Sequence, residues 1–133
     1  MDRTFWLATL CAFVTSVVLA FVFHGLILAP DYALLPGVYR GPQFRPGLFS
    51  LLLLGQLVMA GAMVGIYRYG REARPWLAQG ARFGLLVALV SVVPCYLIGY
   101  AVTNVPAALA IKQILLEALR TVAMGIAVAG IHR

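Results

Sequence analysis

The chain of 133 residues is 63% hydrophobic and only 11% charged, with a mean hydropathy of +0.98. So short a soluble domain would need more charge to cover its surface and could not enclose that much apolar matter, so the composition is that of a membrane protein. The net charge of +6 rests on nine arginines and one lysine against four carboxylates, scattered singly or in one short loop. That excludes a basic helix or aromatic-interleaved patch for nucleic acid and points to topology and anionic lipid instead.

The first predicted helix covers residues 4–29 (TFWLATLCAFVTSVVLAFVFHGLILA) and exceeds the roughly 20 residues that cross a bilayer. It is too long for the apolar region of a signal peptide, and Pro30 follows it rather than a small-residue cleavage site. Residues 30–46 contain four prolines, so neither helix nor buried strand is expected there. The second helix is predicted over about 47–69. Its Gly61 and Gly65 form a GxxxG spacing that lets another backbone come close.

The stretch RYGREARPWLAQGAR reads as a loop and carries Arg68, Arg71, Arg74 and Arg82, suited to anionic lipid contact. The third helix is predicted over about 83–102 and should kink at Pro94. Asn104 is expected to cap the fourth helix, about 106–131, with Pro106 in its first turn. The expected fold is therefore all-α: a polytopic four-transmembrane-helix antiparallel bundle, one domain over 1–133.

Arg3, Arg68, Arg71, Arg74, Arg82 and Arg133 fall on one side of such a bundle, and Arg40, Arg45 and Lys112 on the other. The positive-inside rule then predicts both termini in the cytoplasm. Tyr67, Tyr69 and Trp76 suit an inner aromatic belt, and Tyr32 and Tyr39 an outer one.

Polar residues inside the spans carry the functional information. Gln113, Glu117 and Arg120 follow i, i+4, i+7 spacing and share one helix face, continued by Met124. Glu117 lies ~16 Å along the helix from Pro106, where an ionised side chain costs at least ~2.5–3.5 kcal/mol. His24 lies ~9 Å from the outer end of the first helix and Gln56 ~14 Å from Gly47, so all reach one layer. We expect a buried cluster of His24, Gln56, Gln113, Glu117 and Arg120 in the outer half of the bilayer. It either holds the helices in register by hydrogen bonds or binds and passes a proton, ion or small polar solute. The opposite face of the fourth helix is small, with Ala118, Gly125 and Ala129 suited to close packing, as are Gly61 and Gly65.

Haem on two histidines fails because His24 and His132 belong to opposite ends. Cys11 and Cys95 form no CxxC pair, and no zinc ligand set, GxSxG elbow or phosphate-binding glycine motif occurs. No cofactor, metal or enzymatic activity is expected. Small multidrug-resistance transporters carry their glutamate in the first helix, which has none here. The GIYRYG stretch matches the fluoride-channel family only superficially, and the Glu-Arg and Asn pattern of membrane glutathione-metabolism enzymes is absent from the second helix. HGLILAPDY and EALRTVAMGIAVAGIHR resemble, in layout, an uncharacterised class of small bacterial four-helix integral membrane proteins. That resemblance implies a fold and no activity. The leading expectation is a non-enzymatic protein acting by helix packing, as an accessory subunit of a larger membrane complex or a homo-oligomer, with the lipid bilayer as its other partner. The alternative is a transporter or channel built on the polar cluster.

Overall fold

A computed structural model describes residues 1–39 and 46–133; Arg40 and Arg45, counted above for orientation, lie outside the described residues. The described chain forms α1 (Arg3–Ile27), α2 (Ala29–Ala33), α3 (Pro46–Tyr69), α4 (Trp76–Val102) and α5 (Ala107–Ile131). The four long helices have mean hydropathies between 1.8 and 2.3 and are each long enough to cross a membrane. Together they form a four-helix membrane bundle.

Contacts at the helix ends show the antiparallel arrangement. Asp2 caps α1, its carboxylate accepting the Phe5 N–H at 2.9 Å, while Arg68 at the end of α3 reaches the same carboxylate at 2.8 Å. The Phe5 amide, and then the Arg68 guanidinium, hold the Asp2 carboxyl below its ordinary range. At this arginine end the Tyr67 and His132 rings lie 5.5 Å apart, and the Arg133 guanidinium lies 5.7 Å from the Trp76 ring centre. At the opposite, tyrosine end, Lys112 pairs with Asp31 at 3.0 Å.

The central element is α5. Its most apolar window is 39% buried, against 11–17% for the other three helices. It packs on α1, α3 and α4, while α1 also packs on α3, where Thr9 lies beside Gly61 and the Ser16 hydroxyl donates to Gln56. Large side chains such as Phe21, Val90 and Leu115 point outward, where lipid is a favourable solvent for them.

Backbone glycines set the closest approach. A Cβ added to Gly80 would lie 2.8 Å from the Ala129 Cβ, the Gly125 carbonyl oxygen and the Ile126 Cα, and Gly84 is tighter still against Thr121 and Val122. Gly125 and Ala129 thus face a Gly80-xxx-Gly84 pair on α4. The Gly61 and Gly65 pair is not used this way within the chain. Among the described residues the nearest atom to a Gly61 Cβ is the Thr9 Cγ2 at 3.9 Å, and a Gly65 Cβ would meet nothing within 4 Å.

Three expectations about boundaries need correction. Helix α4 begins at Trp76, not residue 83; Pro75 precedes the first turn, and burial of Gly80 and Gly84 on α5 outweighs the loop signal of the arginines and glycines. Residues 29–33 form a helical turn, tolerated because Pro30 sits in the first turn, where no N–H is needed. Asn104 does not cap α5; the Pro106 carbonyl accepts from Leu109 and Ala110 at 3.1 Å.

Two long helices contain π-helical turns, which re-aim side chains and recur at functional positions. In α1 the turn covers Phe21–Ile27, with the Leu28 N–H bonded to the Phe23 carbonyl at 2.8 Å. In α4 it covers Ala88–Val92, immediately before Pro94, because the proline withholds the N–H that an α-helical turn would need there.

Candidate functional site

The i, i+4, i+7 face of α5 points into the bundle. Gln113, Glu117 and Arg120 are only 4%, 3% and 7% exposed. Glu117 divides its two oxygens between partners: one pairs with Arg120 one turn on at 2.5 Å, the other meets His24 Nε2 at 2.7 Å. The π-helical turn of α1 carries His24, and α2 then folds the chain back so that the Tyr32 hydroxyl reaches His24 Nδ1 at 2.6 Å. The two rings are nearly parallel, with centres 5.9 Å apart.

Gln113 extends the chain outward. Its amide nitrogen donates to the Tyr32 hydroxyl at 3.3 Å and to the Tyr39 hydroxyl at 3.2 Å. Inward, Arg120 donates to Gln56 Oε1 at 3.3 Å, and the Ser16 hydroxyl donates to the same oxygen. One hydrogen-bonded chain therefore runs Tyr39, Gln113, Tyr32, His24, Glu117, Arg120, Gln56, Ser16, from the tyrosine end to mid-bundle. The structure brings together all five of the residues expected in the polar cluster.

Tyr32 accepts from Gln113 and keeps both an O–H and a lone pair, so it satisfies His24 Nδ1 as donor or as acceptor. The imidazole thus bridges a phenol and a carboxylate, beside one guanidinium, with Nε2 facing Glu117. Burial pushes the Tyr32 hydroxyl pKa above its ordinary value, against the opposing pull of the Gln113 amide. His24 keeps 32% of its side chain exposed, against 4% for Glu117.

The site is not fully satisfied. Among the described residues the buried Arg120 Nε–H has no acceptor, an arrangement that costs about 1–3 kcal/mol. Glu117 and Arg120 also form the back wall of a groove of about 830 Å³ between α3 and α4, whose sides are largely apolar.

Tyr32, Tyr39 and Ser16 complete the chain, and sequence reasoning assigned them no part in it. The tyrosines read as an interfacial belt, and no sequence signal singles out Ser16. Pro30 held the signal for Tyr32, since a proline-started turn directly after a helix brings the next few side chains back over its end. The four arginines named for lipid contact all sit at the arginine end; Arg74 and Arg82 share Glu72 at 2.5 and 3.9 Å.

Comparison of the chain with protein-family models, curated proteins and solved structures returns no match.

Proposed function

We propose that this chain is a small transporter or channel that carries protons, or a small polar solute coupled to them, with Glu117 as the proton-accepting group. The observation that supports it is the hydrogen-bonded run Tyr32, His24, Glu117, with the His24 side chain 32% exposed at its entrance and Gln113 holding Tyr32 in place. Ionisable side chains inside a membrane are expensive, and relays and solute paths are where they occur. In this reading a proton arriving at His24 Nδ1 releases the Nε2 proton to Glu117, leaving the imidazole neutral in its other tautomer. The carboxyl then no longer balances Arg120, which frees the guanidinium to bind a solute or move. The arginine end faces the cytoplasm of a bacterial inner membrane, and the tyrosine end faces outward.

Proteoliposomes with a pH-sensitive dye and an imposed potential test this directly. Wild type should show a proton flux that Glu117→Gln abolishes, with both proteins equally helical by circular dichroism. Equal flux in a folded Glu117→Gln protein would refute the assignment.

A second reading is an accessory subunit or homo-oligomer acting by packing. It is favoured by the open surface over Gly65 and Gly55, where an added Cβ meets nothing within 4 Å. Cysteine crosslinking from Ile66 to a second copy in membranes should then succeed. A strict monomer that captures no partner would end this reading.

A further inference from the structure

Glu117 and Arg120 have a second aspect besides the relay, because they face the groove between α3 and α4. At the depth of this pair its flanks are apolar, including Met59 and Met63 on α3 and Leu86 and Val87 on α4, with Tyr96 beside them, while Glu72, Arg74 and Arg82 line it only at the arginine end. Two donors there lack acceptors. The Arg120 Nε–H is buried and unbonded, and among the described residues the Tyr96 hydroxyl makes no hydrogen bond.

The charges at the back wall cancel. An anionic head would have to compete with Glu117 for Arg120, and a cationic head with Arg120 for Glu117. A neutral head with an acceptor oxygen competes with neither and satisfies donors that the protein leaves open. The apolar flanks require a hydrophobic body behind that head. We propose that the groove binds a neutral, lipid-soluble carbonyl compound, the chemistry of a membrane quinone. Its carbonyl oxygen takes the hydroxyl of Tyr96 and, with a turn of the guanidinium toward the groove, the free N–H of Arg120, and its tail lies between α3 and α4. The site shares two residues with the relay but does not depend on proton flux.

The test is decylubiquinone binding to the full chain in nanodiscs of neutral lipid, followed by calorimetry. Saturable binding is expected. Ala62→Phe places a ring in the groove from an exposed position of α3, and should abolish binding while leaving any proton flux intact. Tyr96→Phe should weaken binding roughly five- to ten-fold, the scale of one hydrogen bond. Absence of saturable binding, or indifference to Ala62→Phe, overturns the proposal. So does displacement by decylbenzene or phosphatidylglycerol as effective as by the quinone, since the groove would then be an acyl-chain slot that ignores the carbonyl. Flux lost in Glu117→Gln with no quinone binding would leave the relay standing and this inference refuted; binding without flux would do the reverse.

Discussion

Replacing Arg120 by Met strips Glu117 of its guanidinium in a place where water cannot substitute for it. Glu117 is 3% exposed and keeps only the His24 contact at 2.7 Å, while Gln56 loses its 3.3 Å donor. Breaking one side of a buried pair costs about 3–5 kcal/mol, whereas exchanging both partners for apolar residues of similar volume is often neutral. The double variant Glu117→Met/Arg120→Met should therefore recover most of the loss. It also discards the orphaned Nε–H, a further gain of about 1–3 kcal/mol. Reversible unfolding in mixed micelles at increasing dodecyl sulfate would measure the three stabilities. A coupling of about 2 kcal/mol or more between the two sites is expected from residues in direct contact. If the two single losses simply add, the pair is not one electrostatic unit, and the reasoning from burial fails.

Other consequences follow from the glycines, the tyrosine turn and the first cap. Gly84→Ala drives a Cβ into the α5 backbone at Thr121 and Val122, and should cost about 1–3 kcal/mol as overpacking. Gly65→Ala meets nothing and should be neutral or gain about 0.5–1 kcal/mol from helix propensity; the same unfolding assay separates them, and equal effects would contradict the packing. Tyr32 should hold its proton above the ordinary value of 10.0, so an ultraviolet titration should lose one late-ionising tyrosine in Tyr32→Phe. Because the folded value is raised, the stability linked to Tyr32 is complete below pH 10 and falls as pH rises through the folded value. Asp2 has the opposite sign. Its lowered value means that the cap is intact at neutral pH and fails as pH falls through the folded value, read as lost exchange protection at the Phe5 amide. Asp2→Ala should lose that protection at every pH.

Much of this architecture was legible because lipid simplifies the reading. Three of the four spans show as uninterrupted apolar runs, and a charged residue inside a run stands out against its surroundings, as Glu117 and Arg120 did. Helix periodicity then put Gln113 on the same face without further information. The start of α4 was hidden because Gly80, Arg82 and Gly84 read as loop residues, whereas α5 requires glycine there for backbone contact. Tyr32 was hidden for a different reason. A tyrosine near a membrane surface looks the same whether it anchors in headgroups or folds back onto a histidine, and only the turn at Ala29–Ala33 decides between them. The π-helical turn that aims His24 leaves no residue pattern of its own.

The most direct test of the central claim is the carboxyl stretching band of Glu117, followed by infrared difference spectroscopy as pH is stepped through the physiological range. The relay account predicts a band that grows as Glu117 takes up its proton, is absent in Glu117→Gln, and shifts in its pH dependence in His24→Asn. A carboxylate that stays ionised throughout and ignores His24→Asn would make Glu117 and Arg120 a fixed structural pair, and would contradict proton transfer along this chain.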